Sequence, residues 1–141
     1  GQRTGDASVA PADSAFVLSD LVLGVPEQGL SWQLGADTVY LAPWNVVPRR
    51  KLLELYFQLR NAKVSGPLTT RIVLRRITAG VIDSIAELSI SFPTTAHIGI
   101  EGMHRQLDLS RFKGLAHHLE VEVIDSRGSV AATSSANLFI Q

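Results

Sequence analysis

Period-two alternation of apolar and polar residues recurs along this chain and limits its fold more than any other feature. In residues 51–60, Leu53, Leu55, Phe57 and Leu59 fall on one side of an extended backbone, and Glu54, Tyr56, Gln58 and Arg60 fall on the other. Residues 86–92 repeat the pattern, with Leu88, Ile90 and Phe92 against Glu87, Ser89 and Ser91, as do Leu119, Val121 and Val123 with Glu120 and Glu122 between them. No stretch after Ser14 sustains the i, i+3, i+4, i+7 spacing of an amphipathic helix. The chain therefore reads as all-β.

Further strands are expected at 16–23, 38–42, 69–77, 102–109 and 130–140. The first is nearly apolar on both faces and should be well covered. Turn residues separate these segments, among them Gly24-Val25-Pro26, the Asn, Ser, Gly and Pro of 61–67, and Asp125-Ser126-Arg127-Gly128. Pairing 51–60 with 69–77 as a hairpin would set Leu55 against Leu74 and Phe57 against Ile72. Glu54 would then meet Arg75 and Gln58 would meet Arg71 on the outside. Pro93 is expected to end its strand. Seven or eight short antiparallel strands with turn signals at such spacing predict an immunoglobulin-like or fibronectin type III-like β-sandwich. Its core would centre on Leu55, Phe57, Ile72, Leu88, Ile90, Val121 and Val123.

With 141 residues, one such domain fits, over 15–141, and it needs neither disulfides nor a metal. Residues 1–14 are small and polar and read as a flexible linker. The chain opens on Gly1 and its only methionine is Met103, so it is expected to be part of a longer protein. Thirteen Lys and Arg balance thirteen Asp and Glu. That balance argues against nucleic acid as a partner, because neutralising phosphates takes clustered basic residues in excess. No apolar run approaches the roughly 20 residues of a transmembrane helix.

The closing segments carry a resemblance. Leu107-Asp108-Leu109-Ser110, then Gly114-Leu115, then Leu119-Glu120-Val121-Glu122-Val123-Ile124-Asp125, Gly128 and Phe139 resemble the last strands of many bacterial Ig-like domains. With Ser19-Asp20-Leu21-Val22-Leu23 and Glu54-Leu55-Tyr56-Phe57, the layout is similar to the C-terminal sandwich of GWxTD-type and related bacterial envelope proteins, although the motif that names them is absent. The resemblance implies a non-catalytic accessory domain of a larger exported protein, placed in the periplasm, in the cell envelope or outside the cell. It transfers no catalytic residue.

The sequence holds no phosphate loop, dinucleotide fingerprint, H-E-x-x-H pair, G-x-S-x-G elbow or N-glycosylation acceptor. No enzyme activity, cofactor or metal is expected. His97, His104, His117 and His118 read as solvated loop residues; a metal site built from His104, Asp108 and His117 or His118 is one alternative, and a small hydrolase with a Ser/His/Asp constellation, to which the sequence assigns no residues, is another. Two surfaces stand out for binding. Arg71, Val73, Arg75 and Ile77, with Tyr56 on the facing strand, form a mixed basic and apolar patch suited to a protein or a neighbouring domain of the same chain. Trp32, Tyr40 and Trp44 could instead stack against a glycan if exposed, although at least one tryptophan is expected in the core.

Overall fold

The computed structural model describes residues 16–49, 51–61, 66–112 and 115–141. The expected linker at 1–14 lies outside them. Twelve strands follow one another: β1 Phe16–Leu18, β2 Val22–Gly24, β3 Ser31–Leu34, β4 Asp37–Tyr40, β5 Val46–Val47, β6 Leu52–Asn61, β7 Gly66–Thr78, β8 Val81–Ile82, β9 Leu88–Ala96, β10 Gly99–Asp108, β11 Ala116–Ile124 and β12 Val130–Ile140. Single 3-10 turns sit at Pro26–Gln28 and Pro43–Asn45, and no α-helix occurs among the described residues.

Two sheets make an Ig-like sandwich. In the first, β6 is central, with β10 on one side and β1 and β2 in succession on the other, all antiparallel. The second runs β5-β12-β11-β7-β9, with β8 returning on the end of β7. Its pairs are antiparallel except β5 with β12, which are parallel. Leu53, Leu55, Phe57 and Leu59 of β6 point into the space between the sheets, as the alternation requires. Ile72 and Leu74 of β7, Leu119, Val121 and Val123 of β11, and Leu138 and Ile140 of β12 fill it from the other side. Apolar rows of this kind leave water only by facing one another, at the roughly 10 Å spacing of stacked sheets.

The expected hairpin between 51–60 and 69–77 does not form. β6 and β7 lie in opposite sheets, so Leu55 and Phe57 meet the Leu74 and Ile72 row across the core and not beside it. The outer charges follow suit. Arg71 pairs with Glu122 at 2.6 Å and Arg75 with Glu120 at 3.5 Å, both on β11, whose residues stand next to β7 in register. Of the turn expected at 61–67, residues 62–65 lie outside the described ones.

Three further expectations change. The strand at 16–23 breaks into β1 and β2, because Ser19 departs from the ladder: its Oγ accepts the Gln58 amide at 2.7 Å while its own amide donates to the Gln58 carbonyl. Its outer face is also open, with Val17 exposed. Pro93 does not end its strand, since β9 is a sheet edge where a missing N–H costs no ladder bond, and the strand continues to Ala96. Ile90, placed in the core by its alternation, is 40% exposed because among the described residues no strand of the first sheet covers it. The turn after β11 matches its composition: Asp125 Oδ1 accepts the amides of Arg127 and Ser129, and Gly128 takes φ 85°. Those bonds, Ser129's first, hold the Asp125 carboxyl below the ordinary carboxylate range.

Phe57→Ala should cost about 3–5 kcal/mol in urea unfolding, whereas Ile90→Ala should cost no more than about 0.5–1 kcal/mol. Because the Asp125 value is depressed on folding, its contribution is present above the unfolded-state value and disappears as pH falls through the folded-state one. Asp125→Asn should accordingly flatten the acid limb of the stability profile.

Candidate functional site

Between β2 and β5 the chain inserts a hairpin, β3 and β4, turned at Gly35 in the left-handed region (φ 60°). It lies over the outer face of the first sheet, which two glycines allow it to approach. A Cβ on Gly24 would collide with the Tyr40 backbone carbonyl, and one on Gly102 would collide with the Asp37 carboxylate and stand 2.8 Å from the Tyr56 hydroxyl. Val39 is buried beneath the hairpin, on the same face as its cross-strand partner Trp32.

Asp37 fastens this hairpin to the sheet. The Tyr56 hydroxyl donates to Asp37 Oδ2 at 3.2 Å and accepts from Gln58 Nε2 at 3.3 Å. His104, its ring tilted against that of Tyr56 with centroids 4.7 Å apart, puts Nε2 3.4 Å from Asp37 Oδ1 and Nδ1 3.9 Å from Glu54 Oε1. The carboxylates thus flank opposite edges of one imidazole and do not converge on a common point. Burial raises the Tyr56 phenol above its ordinary value; the bond to Asp37 and the charge there add to the rise, and the Gln58 bond opposes it.

The insertion also displays the aromatic residues. Trp32 is 58% exposed and Trp44 88%, with Tyr40 half-buried. Neither indole enters the core, contrary to expectation, because Phe57 and the leucine rows already fill it. Trp44 and the residue after it, Asn45, both hold positive φ, 54° and 55°, a region that costs energy for residues with a Cβ. Asn45 is fixed there by its amide to Ala42 O and by Nδ2 to Asn137 O, each at 3.0 Å. Beside Trp44 opens a cleft of about 430 Å³ lined by Leu21, Val22, Leu23, Leu30, Leu41 and Ala42, with Ser31 and Asn45 as its polar members.

The other expected surface is divided. Arg71, Val73 and Arg75 share the outer face of the second sheet, but Arg71 and Arg75 are paired with glutamates and Val73 is buried among them. Ile77 continues that strand at its partly buried end, and Tyr56 sits on the opposite sheet, under the hairpin. The result is a charge-balanced, solvated face.

The histidines differ from their expected places on loops. His104 and His118 are strand residues, and His97 is an exposed residue between β9 and β10. His117 is fully buried, in phase with Leu119, Val121 and Val123. Its Nε2 lies 2.7 Å from Glu87 Oε1, outside hydrogen-bonding geometry, and Glu87 also pairs with Arg76 at 3.0 Å. Continuing the β11 alternation back by one step would have found this residue. His104 and His117 belong to different sheets, and Asp108 accepts the Ser110 amide at 2.9 Å, so the imagined site is not assembled. Among the described residues, no group of three or more His, Asp or Glu could hold a metal ion.

No protein-family model matches the chain, and no curated protein does. Solved structures do. An alkylpurine DNA glycosylase, AlkC, of Pseudomonas fluorescens, bound to DNA containing an abasic site analog, superposes with a TM-score of 0.53 at 13% identity over 91% of this chain and 31% of its own. A β-glucosidase from Listeria innocua in complex with glucose gives 0.52 at 14% identity, over 91% of this chain and 16% of its own. The likeness is one of fold. It says nothing of the envelope-protein family that the closing strands resemble.

Gly102→Val should lift the hairpin and raise iodide quenching of Trp32, with Trp44, already 88% exposed, little changed. Tyr56's raised value means that its contribution to stability is complete below the ordinary tyrosine value, near ~10, and is lost as pH rises through the folded-state one. An ultraviolet titration should show a tyrosine ionising above that ordinary value, and Tyr56→Phe should remove it.

Proposed function

We propose that this chain is a non-catalytic Ig-like accessory domain that docks an apolar surface of a partner protein, or of a neighbouring domain, on the cleft rim at Leu30 and Leu41, with Trp44 next in the chain to the lining residue Asn45. Trp44 carries the reading: a tryptophan 88% exposed and held in a costly backbone conformation has no role in packing this domain. Exposed aromatics beside a leucine-lined cleft match the anchors and pockets that dominate protein interfaces. The neighbours support an accessory role, since a sandwich like this one corresponds to a minor share of each of those longer chains. The resemblance of the closing strands supports a home in an exported bacterial protein.

A glycan platform is the second reading, favoured by the exposure of both indoles. Saccharides need dense polar contacts around the stacking ring, however, and six of the eight residues lining the cleft are Leu, Val or Ala. Apolar protein side chains suit that lining better.

A photo-crosslinker at position 44 should give adducts with polypeptide in the source cells, and one at position 71 should not. Trp44→Ala should leave stability within about 0.5 kcal/mol and weaken binding to the captured protein by about 2 kcal/mol, roughly thirtyfold. Equal crosslinking from both positions would contradict the reading. A shift of Trp fluorescence by soluble oligosaccharides, abolished in Trp44→Ala, would favour the glycan.

A further inference from the structure

The first sheet stops one strand short. β10 pairs only with β6, and among the described residues no strand takes its other edge. Across the sandwich, Leu88, Ile90 and Phe92 of β9 stand in register with Leu74, Ile72 and Thr70 and so face inward with them. Ile72 is 1% exposed, yet Ile90 is 40% exposed. The difference arises because β9 overhangs the place where a fourth strand would lie beside β10, as one does in Ig constant domains.

Arg105 partly fills that place. It occupies the inward phase of β10 between Met103 and Leu107, and its guanidinium sits 4.0 Å from the centroid of the Phe92 ring. Its Nη1 donates to the His104 carbonyl at 2.7 Å, and among the described residues no carboxylate pairs with it. Partial burial lowers its pKa, in keeping with a cation partly withdrawn from water.

We propose that the open edge of β10 is a strand-addition site for an extended segment of a partner protein, apolar at alternate positions and carrying an acidic side chain where it passes Arg105. Main-chain groups along Gly99–Asp108 would pair with it, as at other sheet edges that accept a strand. Its inward side chains would cover Leu88, Ile90 and Phe92, and its carboxylate would give Arg105 the missing counter-charge. The edge of β9 is a poorer acceptor, because Pro93 has no N–H to offer. This site is separate from the Trp44 rim and does not depend on it.

The test adds to the full chain an acetylated nine-residue peptide in which valine alternates with threonine and glutamate replaces the central valine. Amide exchange at Gly99–Asp108 should slow, and replacing the peptide's glutamate with lysine should weaken binding by roughly tenfold or more. Ile90→Lys, at a half-exposed position, should block the site with little change in thermal midpoint, and Trp44→Ala should bind the peptide normally. Unchanged β10 exchange at millimolar peptide, or equal binding of the lysine peptide, would overturn the proposal. So would concentration-dependent protection of β10 without peptide, which would assign the edge to a second copy of this chain.

Discussion

Mutual burial of two apolar rows governs this structure. Leu53, Leu55, Phe57 and Leu59 along β6 face Ile72, Leu74, Leu119, Val121 and Val123 of the other sheet, and neither row leaves water without its counterpart. Because this contact runs between sheets, it frees β6 from pairing with β7. Consecutive strands therefore part company, β6 toward β1, β2 and β10, and β7 toward β11 and β9. The outer charges settle accordingly, with Arg71 and Arg75 matched by Glu122 and Glu120.

The alternation made the strands and the inward rows of β6 and β11 legible, and the Asp125-Gly128 turn was legible from its composition. Partnership was not. A row of leucines specifies that it must be covered but not whether its neighbour in sequence lies beside it or opposite it. Exposure at the sandwich edges was hidden for a related reason: Ile90 alternates like a core residue, and only the count of strands in the facing sheet reveals that no described strand lies opposite it. The β3 strand was missed because its short pairing with β4 depends on Gly24 and Gly102, residues distant from each other in sequence, leaving room for the hairpin. Trp32 and Trp44 were visible as candidates, but their exposure follows from a core that the aliphatic rows already complete.

The two places where this domain departs from a plain sandwich are also its two candidate contact surfaces. One is an addition: the inserted hairpin, fastened by Asp37 to Tyr56 and His104, raises a rim of exposed aromatic and aliphatic side chains. The other is a shortfall, a sheet three strands wide facing a wider one, which among the described residues leaves the edge of β10 open and Arg105 without an anion. Both follow from how the strands are divided between the sheets. Had β7 paired with β6, neither the overhang of β9 nor the open edge would exist in this form.

Cross-strand backbone contacts in the NMR spectrum of the uniformly labelled chain test that division most directly. Alpha-proton and amide contacts should link β6 to β10 through the Phe57–Met103 and Leu55–Arg105 pairs, and β7 to β11 through Leu74–Leu119 and Ile72–Val121, with only side-chain contacts joining Phe57 to Ile72. Backbone contacts between Leu55 and Leu74, or between Phe57 and Ile72, would place β6 and β7 in one sheet and contradict the account.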